Sequence, residues 1–245
     1  MLKLSTDRKT TPISSPNGKT PKIANAFGLP SGRDYSCPGQ TSVCERVCYA
    51  GKLEKLFPGF RNVMLENWET LMNARNYQIV DLLDELLIGF ESECERLDSP
   101  KYFRIHHDGD FYSDVYAAAW AEVVLRHPDV QFWVYTRSFG DSLNVVPLFE
   151  GIDNIAFYLS VDDDNIDNAR KVKMEYPWVR IAYLAQTADA ARNVMFDITG
   201  KPGAACPEVI KRIPLITNKG GACISCRLCP EGKSDIRFSI SKKER

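Results

Sequence analysis

Residues 102–135 read YFRIHHDGDFYSDVYAAAWAEVVLRHPDVQFWVY, and this stretch decides the fold class. It begins with a short apolar and aromatic run, Tyr102–His106, and ends with another, Val130–Tyr135. Between them, Asp114–Arg126 has apolar residues at the three- and four-residue spacing of an amphipathic helix. A strand, a helix and a strand at this spacing predict a βαβ unit with parallel strands.

The same alternation continues towards the C-terminus. The further predicted strands are Ile155–Val161, Val179–Leu184 and Arg237–Ser241, and the further predicted helices are 142–149 and 166–176. Repeated βα units join their strands by right-handed crossovers in one sheet. The sequence therefore predicts an α/β fold with a parallel sheet.

The chain is predicted to be a single α/β domain, residues 1–245, with three distinctive segments. Residues 1–22 are rich in Thr, Ser, Pro and Lys and lack an apolar period, which predicts an extended arm. Residues 23–59 form a predicted Cys-rich loop region, and residues 200–245 a predicted Cys-rich metal-binding segment. Cysteines, which are common metal ligands, thus lie in segments near both ends of the predicted domain.

A long amphipathic helix is predicted between the N-terminal loops and the first βαβ unit. Apolar residues from Leu65 to Phe90 recur at three- and four-residue steps. Cys94 lies four residues after Phe90 on the same stripe, so we interpret it as a buried core thiol.

Composition limits the functional classes. Of the 245 residues 44% are hydrophobic, enough for a core that needs no disulfides. The net charge of −1 argues against coating nucleic acid by bulk electrostatics. The sequence has no apolar run of signal-peptide or membrane-span length, which predicts a cytoplasmic, reducing location and no membrane contact. There, closely spaced cysteines usually bind metal or do redox chemistry.

The C-terminal cysteines give the strongest functional signal. They are Cys206, Cys223, Cys226 and Cys229. Three thiols at two-residue intervals can wrap one face of an iron–sulfur cubane, with Cys206 as a remote fourth ligand. A structural zinc site is the alternative, although zinc loops usually present two separated Cys-x2-Cys pairs. The spacing predicts a [4Fe–4S] cluster, with zinc as the alternative metal.

The N-terminal cysteines are Cys37, Cys44 and Cys48, and they have no obvious fourth partner. A cluster held by three cysteines leaves one iron open for a substrate, a cofactor or another ligand. Two other interpretations stay open. These thiols share a metal with the C-terminal set, or only Cys44 and Cys48 are ligands.

Candidate catalytic residues stand where the first two strands end. In parallel α/β folds the ligand lies beyond the carboxyl ends of the strands. The candidate catalytic residues there are His106, His107, Asp108, Asp110 and Arg137. The candidate cofactor-binding residues are Gly109, Asp110 and Arg137, because a glycine allows close backbone approach, a carboxylate accepts from an amine, and an arginine can clamp a carboxylate.

Three N-terminal cysteines with an aromatic beside the last, then βα units and an acidic glycine motif at an early strand end, resemble a divergent radical S-adenosylmethionine barrel. The resemblance implies an incomplete (βα) barrel whose N-terminal cysteines hold a [4Fe–4S] cluster with one iron open to S-adenosylmethionine. It also implies that Asp108-Gly109-Asp110 replaces the family's Gly-Gly-Glu motif, which meets the amino group, and that the C-terminal cysteines hold an auxiliary cluster. The chain departs from that family's Cys-x3-Cys-x2-Cys spacing and has one glycine in place of two.

A second resemblance covers most of the chain and is carried by four motifs. These are Cys37-Pro38-Gly39…Cys44…Cys48-Tyr49-Ala50, Gly109-Asp110-Phe111-Tyr112-Ser113, Trp133-Val134-Tyr135-Thr136 and Cys223…Cys226…Cys229. They resemble the actinobacteriophage gene-product-eighty-eight family. This resemblance implies common descent and adds no mechanism; it places the protein in the bacterial host cytoplasm.

The leading hypothesis is a phage-type iron–sulfur protein with reductive S-adenosylmethionine chemistry on an unknown small-molecule substrate. Asp108 and Asp110 would orient a bound amine, and Arg137 a carboxylate.

The alternative is a non-enzymatic protein in which a structural Fe–S or zinc site supports binding to nucleic acid or a host protein. Basic residues near the two termini would contact nucleic acid, and solvated tails are an equally open interpretation of them. They are Lys3, Arg8, Lys9, Lys19, Lys22, Arg237, Lys242, Lys243 and Arg245.

Overall fold

The computed structural model describes residues 1–11, 23–217 and 220–240. The strands, in chain order, are β1 Ala26–Gly28, β2 Tyr102–Asp108, β3 Gln131–Thr136, β4 Phe139–Gly140, β5 Leu143–Asn144, β6 Ile155–Val161, β7 Arg180–Ala185, β8 Ala204–Ala205, β9 Ile216–Thr217, β10 Gly220–Gly221 and β11 Ile236–Ser239. The helices are α1 Ser42–Val47, α2 Tyr49–Leu56, α3 Pro58–Met72, α4 Asn76–Arg96, α5 Asp114–Arg126, α6 Ile166–Glu175, α7 Ala191–Thr199, α8 Ala222–Cys226 and a 3-10 helix, Val146–Phe149.

Seven strands form one sheet in the order β1-β2-β3-β6-β7-β11-β8. Every neighbouring pair in it is parallel. The pairs β4–β5 and β9–β10 are small antiparallel hairpins outside this sheet. The predicted α/β fold with a parallel sheet is confirmed.

The strand order determines where the helices go. The first five strands of the sheet follow one another in space as they do along the chain. A doubly wound sheet reverses its order at a switch point, and these five strands have no reversal. With right-handed crossovers throughout, sequential order places the connecting helices on one face of the sheet and leaves the other face free to line a site.

Both faces of the sheet are buried, but they pack against different sets of residues. Along β3, Phe132 and Val134 pack into the main core with the helices, whereas Trp133 belongs to a second cluster on the opposite face. That second cluster also contains Tyr158 and Cys229. Since successive side chains of a strand point to opposite faces, the alternation in β3 separates a helix-covered core from a cysteine-lined face.

The apolar stripe from Leu65 to Phe90 forms two helices rather than the single predicted one. Helix α3 ends at Met72, which is 54% exposed, and α4 begins at Asn76. The backbone N–H of Arg75 donates to the side chain of Gln78 at 2.9 Å, so a helix N-terminus is capped in the middle of the stripe. Cys94 on α4 is fully buried in the main core, as expected.

The predicted helix at 142–149 is wrong. Residues Leu143–Asn144 pair with Phe139–Gly140 as a hairpin, and only Val146–Phe149 is helical, as a 3-10 turn. Pro147 has no backbone N–H to donate and favours the start of a turn, which limits this segment to a single short one. Val146 and Phe149 are buried nonetheless, so their apolar spacing reports core packing and not an α-helix.

The region predicted as Cys-rich loops, residues 23–59, contains β1, α1 and α2. Short polar side chains start both helices: Thr41 caps α1, and the sulfur of Cys48 caps α2. Cysteines therefore lie on helix ends that the sheet positions.

Residues 1–11 lie against the body of the protein. Ser5 forms an antiparallel bridge with Ala26, and the Thr10 hydroxyl donates to the Asn25 side chain at 2.9 Å. The rest of the predicted arm, residues 12–22, falls outside the described residues. Among the helices of the described residues, none is long and apolar enough to cross a membrane.

Candidate metal and ligand site

A cavity of about 600 Å³ lies on the cysteine-lined face of the sheet. All the cysteines except Cys94 line it, and all are free thiols: Cys37, Cys44, Cys48, Cys206, Cys223, Cys226 and Cys229. Two sets of cysteines that are far apart in the sequence thus line the same cavity.

The C-terminal thiols are close neighbours of one another. Cys206 follows β8, Cys223 and Cys226 lie on α8, and Cys229 comes after a left-handed turn at Arg227 with φ +60°. Burial and the nearby thiols of Cys206 and Cys226 raise the pKa of Cys229 to about 12. Burial and the Cys229 thiol likewise raise the pKa of Cys223 above its usual range. Burial also raises the pKa of Cys206, so these three thiols favour the protonated form unless a cation compensates their charge.

The N-terminal strap, residues 1–11, holds in place the segment that carries Cys223, Cys226 and Cys229. The backbone N–H of Cys223 donates to the Lys9 carbonyl at 2.8 Å. Gly221 lies so close to this strap that a Cβ there would stand 2.3 Å from the Lys9 carbonyl oxygen. The Lys9 ammonium also pairs with Glu208 at 2.8 Å, near Cys206. Glycine at 221 is therefore a packing requirement of the site.

The N-terminal thiols are positioned by helix caps. The Thr41 hydroxyl accepts from the Cys44 N–H at 3.0 Å, and the Cys48 sulfur accepts from the Gly51 N–H at 3.3 Å. Burial raises the pKa of Cys44, and the positive charge of Arg137 offsets only part of this effect. Cys37 lies nearest the strand end, where burial and the Asp110 carboxylate raise its pKa.

Within residues 1–11, 23–217 and 220–240, no group of three or more His, Cys, Asp and Glu side chains converges closely enough to hold a single metal ion. A zinc ion needs such convergence, because each thiolate lies about 2.3 Å from it.

The end of β2 carries a bulge at His106. This residue has φ +58°, and between Ala26 and Gly28 of β1 the register on β2 jumps from Arg104 to Asp108. As a result, His106 turns its ring into the aromatic core, where its Nε2 lies 2.9 Å from the Tyr116 hydroxyl. Although His106 borders the cavity, its ring is held by the core.

His107 and Asp108 both line the cavity and keep unused polar atoms. His107 Nε2 and Asp108 Oδ2 are buried, and no described residue makes a hydrogen bond to either. Burial, reinforced by the nearby Glu54 carboxylate, raises the pKa of Asp108. Arg104 Nε and His106 Nδ1 belong to residues of the same cavity and also have no partner among the described residues. A buried polar atom without a partner is costly, so these four are the groups that a ligand would satisfy.

Asp110 is committed to the protein itself. Its Oδ1 accepts from the Thr136 hydroxyl at 2.6 Å and from the Phe111 N–H at 2.8 Å, and its Oδ2 accepts from the Arg137 N–H at 2.6 Å. Burial raises its pKa to about 6. Asp110 borders the cavity, but both of its carboxylate oxygens accept hydrogen bonds that join the ends of β2 and β3.

Arg137 is committed in the same way. Its guanidinium donates to Asp162 at 2.7 Å and to the Thr41 hydroxyl at 3.2 Å, with both side chains of the ion pair buried. Gly109 has φ +78°, and a Cβ there would stand 2.4 Å from the Ser36 hydroxyl. Each of these predicted cofactor-binding residues thus has a packing or bracing role beside the cavity.

One charged side chain of the cavity, that of Arg104, was missed from the sequence. Arg104 lies in the middle of β2 and pairs with Asp7 at 2.8 Å, and its guanidinium carbon lies 5.5 Å from the centre of the Tyr135 ring. An arginine inside an otherwise aromatic and apolar strand, Tyr102-Phe103-Arg104-Ile105, was the signal that could have found it.

Three of the four basic residues of the termini that the structure describes have internal partners. Lys3 pairs with Glu66, Lys9 with Glu208, and Arg237 donates to the Ala188 carbonyl. Arg8 is exposed. The other five residues of the predicted nucleic-acid contact fall outside the described residues: Lys19, Lys22, Lys242, Lys243 and Arg245.

The two strand-end histidines predict an acid sensitivity. Burial lowers the pKa of His106 to about 3 and of His107 to about 4. In the unfolded chain both bind protons near pH 6.5, so the unfolded state gains protons first and stability falls as the pH drops from 6.5 towards these values. At pH 5 each histidine is expected to lower the free energy of unfolding by about 2 kcal/mol.

Urea unfolding of the protein and of His106→Gln at pH 7.5 and pH 5 measures this effect. The variant keeps a polar group near Tyr116 and is expected to lose about half of the pH-dependent destabilisation. An equal loss of stability in both proteins would contradict the assignment.

Comparison with known proteins gives one family. Residues 1–232 match the family model described as Gene product 88. The Gene 88 protein of Mycobacterium phage L5 is 44% identical over 245 residues, and that of Mycobacterium phage D29 is 42% identical over 246 residues. In both cases the alignment covers 99% of each chain. No solved structure matches.

Proposed function

This chain belongs to the Gene product 88 family, and from that premise we propose that it is a phage-type iron–sulfur protein. Cys206, Cys223, Cys226 and Cys229 would hold a [4Fe–4S] cluster. The observation that carries the proposal is the gathering of seven free thiols around one cavity of about 600 Å³. These thiols are at least partly shielded from water, which suits a cofactor that is bound by thiolates.

The sequence spacing of the C-terminal cysteines favours a cluster over a zinc ion, because three thiols follow one another at two-residue intervals. Cysteines that bind a cubane each ligate a different iron, so their sulfurs stand at separate corners instead of converging on one point.

The N-terminal thiols support an enzymatic version of the proposal. Cys37, Cys44 and Cys48 line the same cavity as the end of β2, and the sequential strand order suits an incomplete (βα) barrel like that of radical S-adenosylmethionine enzymes. A cluster held by three cysteines would supply an open iron and an electron for reductive cleavage of S-adenosylmethionine.

In the enzymatic version, side chains of this protein bind the ligand and orient the cysteine segment. Asp108 offers its unused oxygen to an amine, and His107 offers a second polar atom beside it. Arg137 orients the segment that carries Cys44, through Thr41, rather than a carboxylate of the ligand. The substrate is a small molecule that this cavity admits, and the reducing cytoplasm of the host is where such a site would remain intact.

Metal analysis of protein purified without oxygen tests the cluster. We expect iron and acid-labile sulfide in equal amounts, about four of each for every cluster held. Zinc without sulfide, or no metal after reconstitution with iron and sulfide, would reject the proposal.

Reduction of the loaded protein with dithionite in the presence of S-adenosylmethionine tests the enzymatic version. The expected product is 5′-deoxyadenosine. The variant Asp108→Asn is expected to lower the affinity for S-adenosylmethionine about tenfold, because an amide nitrogen takes the place of the accepting Oδ2. Asp153→Asn, at an exposed carboxylate, is the matched control. A loaded protein that binds no S-adenosylmethionine would leave the cluster as a structural one.

A further inference from the structure

The N-terminal strap forms part of the cavity wall. Two of its side chains, Asp7 and Lys9, line the cavity. On one side of them, Ser5 forms an antiparallel bridge with β1, which is the edge strand of the sheet. On the other side, the Thr11 carbonyl accepts from the Gly221 N–H at 2.9 Å. The strap therefore runs from the edge of the sheet to the segment that carries the C-terminal cysteines, with its middle part beside the cavity.

One ion pair fastens the middle of the strap to the sheet. The Asp7 carboxylate pairs with Arg104 of β2 at 2.8 Å, and the two side chains are only 17% and 14% exposed. The Arg104 guanidinium also donates to the Tyr49 hydroxyl at 3.2 Å, and Tyr49 directly follows Cys48. A pair with so little exposure is weakly screened, and removal of one partner leaves the other charge unpaired. The Asp7–Arg104 pair is therefore a firm attachment of the strap.

The same part of the strap contacts the C-terminal cysteine segment. The Lys9 carbonyl, two residues along the chain from Asp7, accepts from the Cys223 N–H at 2.8 Å. A chain of neighbouring residues and contacts therefore joins the two sets of cysteines through the strap. In order, it passes through Cys48, Tyr49, Arg104, Asp7, Lys9 and Cys223.

We propose that the strap is a latch over the cavity, held closed by the Asp7–Arg104 pair, and that it controls access to the thiols of Cys48 and Cys223. This inference goes beyond the proposed function and needs no bound metal. A shielded thiol reacts with a reagent in the water only when the structure around it opens locally. The rate at which such a reagent labels each cysteine therefore measures how often the latch opens.

Asp7→Asn breaks the latch with little change in side-chain size. Asp7 Oδ1 accepts from the Lys9 N–H at 2.9 Å, and the asparagine oxygen can keep that bond. The amide N–H groups then face Arg104, which has no acceptor to offer them. In the reduced, chelator-treated full-length protein, labelling of Cys48 and Cys223 is expected to become about tenfold faster. Peptide mass spectrometry measures the rate at each cysteine.

Cys94 and a surface variant are the controls. Cys94 is fully buried in the main core, so its labelling reports global unfolding, and its rate is expected to rise less than the rates of the two cavity thiols. Glu66→Gln breaks a pair between Glu66 and Lys3 of the same strap, but both side chains are at least 50% exposed and neither lines the cavity. Its labelling rates are expected to stay within about twofold of the parent protein.

Lys9→Met is a milder second variant. It breaks the pair of Lys9 with Glu208 and leaves the Asp7–Arg104 pair in place. Labelling of Cys223 is expected to become about threefold faster, because this pair is more exposed, and labelling of Cys48 is expected not to change.

Unchanged labelling of Cys48 and Cys223 in Asp7→Asn would overturn the inference. So would an equal acceleration at Cys94 or in Glu66→Gln, because the protein would then be opening as a whole or at the surface. If Asp7→Asn does not fold, parent-like labelling of Cys223 in Lys9→Met would overturn it in the same way. The iron content of the parent protein decides the proposed function and leaves this inference standing.

Discussion

Replacing Cys223 and Cys226 together by serine is expected to remove the iron and sulfide of the C-terminal centre, about four atoms of each per chain. Both residues lie on α8, a helix of five residues that is too short to be stable by itself. Two of the four proposed ligands are lost at once, so the remaining thiols of Cys206 and Cys229 would not retain a cubane. Iron and sulfide analysis and the visible absorbance measure the loss.

Cys94→Ala is the matched control for that experiment. Cys94 is as free as the other thiols but fully buried in the core on α4, away from the cavity. Its truncation is expected to cost about 1 kcal/mol of stability and no iron. If the double variant kept its full iron and sulfide, the assignment of these cysteines would be wrong.

Gly39→Ala is expected to displace the N-terminal cysteine segment and to destabilise the fold by about 3 kcal/mol or more. A Cβ at position 39 would stand 2.1 Å from the carbonyl oxygen of Arg137 and 2.6 Å from its carbonyl carbon. These are backbone atoms that cannot easily yield, because Asp110 accepts from the Arg137 N–H at 2.6 Å. The segment that carries Cys37 must therefore move away from the end of β3.

The measurements for Gly39→Ala are thermal unfolding and the rate at which a thiol reagent labels each cysteine. We expect a fall in melting temperature of about 6–12 °C and faster labelling of Cys37 than in the parent protein. Gly59→Ala is the control, since a Cβ there meets no atom within 4 Å, and its stability is expected to be unchanged or about 0.5–1 kcal/mol higher. A Gly39→Ala protein as stable as this control would show that the segment adapts without cost.

Local periodicity was sufficient to predict five of the seven strands of the sheet, whereas the short strands β1 and β8 were missed. The strands Tyr102–Asp108 and Ile155–Val161 lie where apolar runs predicted them, because buried parallel strands need such runs on both faces. The same reasoning failed at 142–149, where Val146 and Phe149 have helical spacing but a hairpin and Pro147 allow one 3-10 turn. Apolar spacing reports which side chains are buried and does not by itself determine the backbone that buries them.

The strand-end residues show the same limit for the site. A sequence of two histidines, two aspartates and a glycine after a strand predicts a polar cluster, and the structure places that cluster at the cavity. It does not reveal that Asp110 accepts three hydrogen bonds from its own protein while Asp108 keeps an unused oxygen. That difference depends on the bulge at His106 and on the approach of β3, which are long-range contacts.

The sequence by itself determined that this is a parallel α/β protein of the Gene product 88 family with two sets of closely spaced cysteines. The alternation of apolar runs and the spacing of the thiols are local properties, so both can be read from the amino-acid sequence. Only the tertiary structure decided that both sets face one cavity, and that Arg104 and Tyr135 stand between the sheet and the thiols. The physical reason is that sequential crossovers cover one face of the sheet with helices, so segments distant along the chain meet on the face that remains.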